Sequence, residues 1–509
     1  MEQKFPAWLK EALFYEIYPQ SFNDTNGDGI GDINGITEKL DYIKDLGCNA
    51  IWINPCYDSP FLDAGYDISD FYKVAPRYGT NDDLKNLFET AHGKGMHILL
   101  DLVPCHTSVN HPWFKESMKA EKNEFTDRYI WTNDGFEPPK DMESIRGISD
   151  RNGAAAVTFF SHQPALNYGF YEIDRPWQQS IDDEAPKATA EELKKIMRFW
   201  LDMGADGFRV DMAHALVKND KYHNGTITVW RRILGDIKAE YPEAAFVSEW
   251  GEAEKSIMAG FHMDFTVWGN TCFDDLLRAG EPYFSSNGNG NASRFVEAYT
   301  KVRNRIKHKG YIAPISGNHD IRRISYSLKG DELKVAFAFL LTFAGTPFIY
   351  YGDEIGMRYL DNITSKEGGF FRTGSRTPMQ WNDEKNAGFS TADPEKLYLP
   401  IDPSDDRPTV EKAANDKNSL YNEIKALIKL RKANSALGND GEIEFLSVGY
   451  PLIYKRSSET QTVTVIINPS AENEGYYKTD GRILHKIGEA TLQDGVCKFG
   501  GLSAVIIEN

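Results

Sequence analysis

Eight times along this chain a short apolar or β-branched run gives way to a longer amphipathic stretch, and that alternation constrains the fold more than any other feature. The runs are ALFYEIYPQSF (12–22), NAIWINP (49–55), HILLDLVP (97–104), DGFRVDM (206–212), AAFVSEW (244–250), MDFTVWG (263–269), YIAPISGNH (311–319) and PFIYYGDE (347–354). Each reads as a buried parallel strand. The stretches between them read as helices. GITEKLDYIKDLG places Ile36, Leu40 and Ile43 on one face of a 3.6-residue period, and ELKVAFAFLLTFAG is apolar nearly all round, as a buried helix is. Gly47, Gly95 and Gly204 supply helix stops.

Eight strands alternating with helices argue for a (β/α)8 TIM barrel over a doubly wound sheet, although alternation alone does not separate the two. The pattern breaks between Thr107 and Lys187, where Pro, Gly, Asn and aromatics dominate. That segment, 107–187, reads as a small irregular domain inserted after the third strand of a barrel built from 1–106 and 188–438. Beyond the helix NSLYNEIKALIKLRKANSAL, the runs LIYKRS, TVTVIIN and SAVIIEN mark a C-terminal all-β sandwich domain over 439–509. A chain of 509 residues exceeds one compact core, so several domains are expected.

A net charge of −18 repels phosphate backbones and anionic lipid, which argues against nucleic acid and membrane as partners. Cys48, Cys56, Cys105, Cys272 and Cys497 are odd in number and scattered, so neither a disulfide framework nor a zinc site is suggested. Charges inside the opening MEQKFPAWLKEALFYEIYPQ argue against a secretory signal, and a cytoplasmic monomer or weak oligomer is expected.

In such barrels the chemistry sits at the C-terminal ends of strands. Four expected strands end in ionisable residues: Asp101 and His106, Arg209 and Asp211, Glu249, then His319 and Asp320. Three carboxylates converging on one mouth suit glycoside hydrolysis, in which one attacks the anomeric carbon, one protonates the leaving oxygen and a third binds hydroxyls. Barrel-mouth salt bridges are the bland alternative, and four strands ending this way in order weigh against it. SEWGE offers two glutamates, and Glu249 is preferred to Glu252 because it directly ends the apolar run.

DLVPCH (101–106), GFRVD (207–211), FVSE (246–249) and SGNHD (316–320) resemble the four motifs of the α-amylase superfamily, glycoside hydrolase family 13, in order and spacing. The resemblance implies Asp211 as nucleophile, Glu249 as general acid and base, and Asp320 as holder of the 2- and 3-hydroxyls. It implies that Arg209 orients Asp211, that His106 and His319 bind hydroxyls, and that Asp101 supports the group. DAGYDISDF (63–71) is similar to the loop after strand two in members working from a chain end, implying that Asp63 and Tyr66 close the terminal-glucose subsite. FFRTGSRTPMQW (370–381) resembles a stretch of oligo-1,6-glucosidases, implying that Arg372 reaches the same subsite and that Arg376 is structural. HQPALNYG (162–169) resembles the family's QPDLN motif.

Cys105 and Ala165 stand where many members carry Asn and Asp ligands for a calcium between barrel and insert, so that ion is not expected. NDTNGDGIGD (23–32) instead resembles the calcium or magnesium loop after strand one, implying Asp24, Asn26, Asp28, the Ile30 carbonyl and Asp32 as ligands of a structural Ca2+ or Mg2+. No catalytic cofactor is implied. His92, His97, His111 and His162 read as packing or surface residues, and Trp250 and Phe170 as pocket neighbours. The expected activity is a retaining exo-α-glucosidase acting on a small oligosaccharide or disaccharide. A trehalose-synthase-like or sucrose-isomerase-like transferase uses the same intermediate, and a non-enzymatic transporter partner is disfavoured by the three retained carboxylates. Met212, just after Asp211, matches neither the Val of α-1,6 nor the Ala or Thr of α-1,4 enzymes, so linkage stays open.

Overall fold

The computed structural model describes residues 5–136, 139, 142–265 and 272–509. Its centre is one parallel sheet of eight strands: β1 (Phe14–Ile17), β2 (Ala50–Ile53), β3 (His97–Leu102), β4 (Gly207–Val210), β5 (Ala245–Ser248), β6 (Met263–Phe265), β7 (Tyr311–Ala313) and β8 (Phe348–Tyr350). β1 pairs with both β2 and β8. A parallel bridge between Ile315 and Phe348 closes the remaining gap, with the Phe348 N–H donating to the Pro314 carbonyl at 2.9 Å. The sheet therefore returns on itself as a barrel. Of the expected run 263–269, the last four residues lie outside the described residues.

Apart from His97 at the start of β3, every residue of these strands is buried. Burial on both faces explains why they read as unbroken apolar runs. Phe14, Trp52, Phe265 and Phe348 fill the interior, with ring centroids 4.3–6.3 Å apart. Gly207 opens β4 at φ 138°, and a Cβ there would stand 1.9 Å from the Ala245 carbonyl, so only glycine lets β4 approach β5. The surrounding helices carry sequence-encoded starts: Asp32 caps Ile33–Glu38 and Thr80 forms a capping box with Asp83 on Asn81–Gly93.

After β3 the chain leaves the barrel through short pieces, including the helix Pro112–Ser117 and a hairpin of Ser144–Arg146 with Ala154–Ala156, and helix Glu184–Met203 brings it back. The C-terminal strands are β9 (Glu442–Ser447), β10 (Leu452–Ser457), β11 (Thr462–Asn468), β12 (Gly475–Lys478), β13 (Arg482–Ile487), β14 (Ala490–Gln493), β15 (Val496–Phe499) and β16 (Ser503–Glu508). They form a five-stranded antiparallel sheet in the order β9-β10-β11-β16-β13 and a three-stranded one in the order β12-β15-β14. Ile466, Val505 and Ile507 of the first pack against Ala490, Cys497 and Phe499 of the second. This module sits at the floor of the barrel, where Arg456 reaches the Thr342 carbonyl. No described helix is long and apolar enough to cross a membrane.

Candidate active site

The strand ends meet around one buried guanidinium. Arg209 Nη1 lies 2.9 Å from Asp101 Oδ1 and 2.9 Å from Asp211 Oδ1, while its Nη2 lies 2.8 Å from Glu249 Oε2. Residues from three consecutive strand ends are thus tied by one side chain that is 1% exposed. Met212 adopts a left-handed φ of 41°, an uncommon conformation for a long side chain, and its N–H donates to Glu249 Oε2 at 3.1 Å. The backbone turn after Asp211 therefore helps to aim Glu249. Glu252 is bound to Lys255 at 2.8 Å and is not part of the cavity wall, which separates the two glutamates of SEWGE.

Beyond β7, Asp320 accepts from Arg372 Nη1 at 2.8 Å and from Arg376 Nη2 at 3.0 Å, and stands 3.2 Å from His319 Nε2. Arg372 Nη2 also faces Asp63 Oδ1 at 3.4 Å, and Gln163 Nε2 from the insert donates to Asp63 Oδ2 at 2.8 Å. Asp63, Arg372 and Asp320 therefore form an ionic wall across one side of the cavity. Tyr66 donates its hydroxyl to Asp101 Oδ2 at 3.0 Å and sits 2.7 Å from His319 Nε2. His106 Nε2 is 3.1 Å from the Tyr66 carbonyl. Asp63, Tyr66, His106, Gln163, Asp211, Glu249, Asp320 and Arg372 border a cavity of about 480 Å³, whereas Asp101, Arg209, His319 and Arg376 do not.

Burial pushes the Asp211 carboxyl well above the usual range; Arg209 opposes that, and Glu249, Asp101 and Asp320 add to it. Burial works against ionisation of Asp320 too, but His319, Arg376 and Arg372 reverse it and hold that carboxyl well below its ordinary value. His319, though buried, is raised by Asp320 and by Glu16, whose Oε1 lies 2.9 Å from its Nδ1. Asp63 is pushed up by burial to about 6 against the pull of Arg372 and Arg376. Burial drives His106 down to about 3, so it is neutral.

Residues 16–440 fit the catalytic domain of α-amylases. The chain belongs to the α-amylase family. An oligo-1,6-glucosidase of Parageobacillus thermoglucosidasius is 31% identical over 558 aligned positions, covering 96% of this chain and 95% of that protein. A trehalose synthase/amylase of Mycolicibacterium smegmatis is 33% identical, covering 84% of this chain and 77% of that protein. An isomaltulose synthase variant from Erwinia rhapontici, solved with sucrose, superposes with a TM-score of 0.81 at 26% identity, covering 99% of both chains. As an α-amylase family member the protein is a glycoside hydrolase or glycosyl transferase.

Within this family frame several residues emerge that motif reading passed over. Asp264 on β6 is fully buried, and its Oδ1 accepts from Ser248 Oγ at 2.7 Å and the Trp250 N–H at 3.0 Å, the residues on either side of Glu249. Glu16 on β1 supports His319, and Gln163 supports Asp63. Four phenylalanines, Phe159, Phe160, Phe370 and Phe371, border the cavity with His214. Phe170, expected beside the pocket, packs instead with Ile130, Ala156 and Ala165. Trp250 does border the cavity. His92 and His97 both bind Asp206, and His111 caps the helix Pro112–Ser117.

The loop 23–32 winds around its own oxygens. Asp24 Oδ1 accepts from the Asn26 N–H at 3.1 Å, Asn26 Oδ1 from Asp28 at 2.9 Å, and Asp28 Oδ1 from Ile30 at 2.9 Å. These oxygens are the donor type a hard divalent cation takes. Asp32 is engaged by Thr25 at 2.8 Å and by the Gly35 N–H at 2.7 Å, so it would have to share. Among the described residues no three His, Cys, Asp or Glu side chains gather as a metal cluster, so Asp24, Asp28 and Asp32 do not converge on one point in this structure. At the junction of barrel and insert, Cys105 and Ala165 offer no side-chain oxygen, and the buried ammonium of Lys218 stands near the Cys105 thiol.

Proposed function

We propose that the protein is a retaining, exo-acting α-glucosidase that releases glucose from the non-reducing end of short α-glucans or disaccharides. The observation that carries this reading is the ionic wall of Asp63, Arg372 and Asp320 immediately beside Asp211 and Glu249. Such a wall blocks a continuing chain on one side and leaves room for one terminal sugar. Its charged groups bind hydroxyls that an internal residue would not present in the same way.

Asp211 attacks the anomeric carbon as Glu249 gives its proton to the leaving oxygen, and a β-glucosyl ester forms on Asp211. Esterification removes one negative charge from a buried site shared with Glu249, Asp101 and Asp320, so the burial and the neighbouring carboxylates that raise Asp211 both favour losing that charge. Glu249, now ionised, takes a proton from water; that water attacks the same carbon and α-glucose leaves with Asp211 restored. One guanidinium contacts both carboxylates, at 2.9 and 2.8 Å, an arrangement that supports the close pair double displacement uses. Asp320, held ionised, faces the positive charge of the oxocarbenium-like transition state and binds the 2- and 3-hydroxyls. Tyr66 and His106 border the sugar subsite, Asp101 and His319 hold Tyr66 and Asp320 from behind, and Arg209 fixes the nucleophile.

A glucosyl transferase or isomerase is the second reading, favoured by the likeness to a trehalose synthase and an isomaltulose synthase. Product analysis on maltose, isomaltose, trehalose, sucrose and maltotriose decides between them. Net α-glucose supports hydrolysis, rearranged disaccharides support transfer, and inertness on all five refutes both. The loop 24–32 is proposed to hold a structural Ca2+ or Mg2+ through Asp24, Asn26, Asp28, the Ile30 carbonyl and Asp32. Chelator should then lower the melting temperature of the wild type but not that of Asp28→Ala; equal melting with and without chelator refutes the site.

A further inference from the structure

Two loops build the wall of the glucose subsite, and both are held in conformations their residues resist. In the loop after β2, Phe61 and Ala64 take left-handed φ values of 59° and 51°, with Asp63 between them. In the loop after β8, Glu367 and Phe370 take 48° and 47°. Such backbone is uncommon for these side chains and persists where the surroundings impose it. The loops touch at Gly368, where a Cβ would stand 2.9 Å from the Leu62 carbonyl and 3.3 Å from Asp63 Oδ1. The Gly368 carbonyl also accepts from Arg372 Nη2 at 2.6 Å. The place of Gly368 therefore sets how far Arg372 reaches toward Asp63.

The earlier loop is pinned from within, because Asp67 accepts from the N–H groups of Leu62 and Asp63 at 3.0 Å each. The later loop is pinned from behind, through the residue that precedes Gly368. Glu367 Oε1 pairs with Arg77 Nη1 at 2.9 Å, and Glu367 Oε2 accepts from the Tyr398 hydroxyl at 2.8 Å. Arg77 Nη1 also donates to Gln20 Oε1 at 3.0 Å, just after β1. Its guanidinium lies 3.5 Å from the centroid of the Phe61 ring. One side chain thus stacks on the loop that carries Asp63 and pairs with the loop that carries Arg372. Neither Arg77 nor Glu367 borders the cavity.

We propose that Arg77 and Glu367 are positioning residues, a buckle behind the subsite that brings Arg372 to Asp63 and so sets the affinity for the terminal glucose. The proposal rests on the reading of Asp63, Arg372 and Asp320 as the wall of that subsite. Asp63 and Arg372 stand 3.4 Å apart, longer than the about 2.8 Å of a tight charged pair. Their own attraction is a loose tie, and the buckle supplies the rest. Asp320 keeps Arg376 and His319 whether or not Arg372 shifts. Loss of the buckle therefore falls on sugar binding rather than on the chemical step.

The test measures kcat and KM for 4-nitrophenyl α-glucoside, whose leaving group departs without help from an acid, so that KM reports the sugar subsite. Arg77→Met should raise KM about tenfold with kcat within about twofold of the wild type. Arg77→Lys, which keeps the charge beside Glu367 but not the planar stack, should recover part of the loss. In an Asp63→Asn background Arg77→Met should add little, because the pair it serves is already broken. Melting temperatures are read alongside, and Glu367→Gln carries the same test should Arg77→Met melt below the assay temperature. An unchanged KM, a fall in kcat alone, or an undiminished effect in the Asp63→Asn background overturns the proposal and leaves the glucosidase reading standing. A wild type inert toward this glucoside removes the glucosidase reading and the buckle with it.

Discussion

Arg209 at the mouth of the barrel and Arg431 at its floor are both buried, yet they are neutralised in opposite ways. Arg209 touches three carboxylates, Asp101, Asp211 and Glu249. Arg431 touches none: it donates to the carbonyls of Leu341, Phe343 and Gly345 and to Asn439 Oδ1 at 2.6–2.9 Å. Arg456 nearby does the same with the carbonyls of Thr342, Gly438, Gly441 and Glu442. Coulombic partners outweigh burial and hold Arg209 firmly charged, whereas burial leaves Arg431 well below its ordinary value and Arg456 at about 10. The floor arginines cap the C-terminal end of helix Asp331–Thr342, where free carbonyls and the negative end of the helix dipole need donors. Their bonds run to backbone carbonyls and join barrel to sandwich. The mouth keeps more anions than cations around Arg209, an imbalance that suits a cationic transition state. A buried arginine is therefore informative through its partners: carboxylates at strand ends mark chemistry, and carbonyls mark architecture.

The contrast breaks most sharply on Asp211. Asp211→Asn should lower kcat/KM by about 10⁴ or more while leaving the fold intact, because the amide cannot form the glucosyl ester. Retained turnover would remove Asp211 as nucleophile. Arg431→Met should do the converse, costing about 1–3 kcal/mol for each buried carbonyl left without a donor, read in a denaturant melt, with kcat unchanged below the transition. A stable but inactive Arg431→Met protein would show that the floor takes part in the chemistry.

What was legible in the sequence follows the same division. Parallel barrel strands are buried on both faces, so they announce themselves as apolar runs, and a charged residue at the end of such a run stands out. Asp101, Asp211, Glu249 and Asp320 were visible for that reason, and the structure brings them together around Arg209 and Arg372. Asp264 was not visible, because a single acid within MDF gives no hint that its oxygen faces Ser248 and Trp250. The phenylalanines that border the cavity were hidden for another reason. Phe160 and Phe370 lie 210 positions apart in irregular segments, where no period links residues that meet in space. Phe170 failed as a pocket neighbour because proximity to a motif says nothing about the face a side chain takes in an insert without regular strands.

Asp264 offers a finer test of the mouth. Its carboxylate gathers donors from both sides of Glu249, so it is a positioning residue for the acid. Asp264→Ala should cost about tenfold in kcat for methyl α-glucoside, whose leaving group needs the proton, and little for 4-nitrophenyl α-glucoside, whose leaving group does not. Asp264→Asn, which keeps an acceptor oxygen, should recover most of the loss. Equal losses on both substrates would reduce Asp264 to a packing role.

The smallest effect expected is a pH dependence from Asp63, and it sets stability against binding. Its carboxyl titrates at about 6 in the folded protein, against about 3.9 in an unfolded chain. Between those values the folded state holds the proton more tightly, so this group's contribution to stability falls as pH rises from about 4 to 6. Binding runs the other way. Only the ionised carboxylate completes the pairing with Arg372 that walls the glucose subsite, so KM should rise severalfold as pH falls below about 6, with kcat less affected. In Asp63→Asn that acidic limb of kcat/KM should flatten at a lower plateau, and a limb that persists unchanged would assign it to another carboxyl. The group that shapes the sugar end of the pocket is thus kept ionised near neutral pH at a cost to the fold, whereas the floor arginines direct their bonds to carbonyls that hold the fold together.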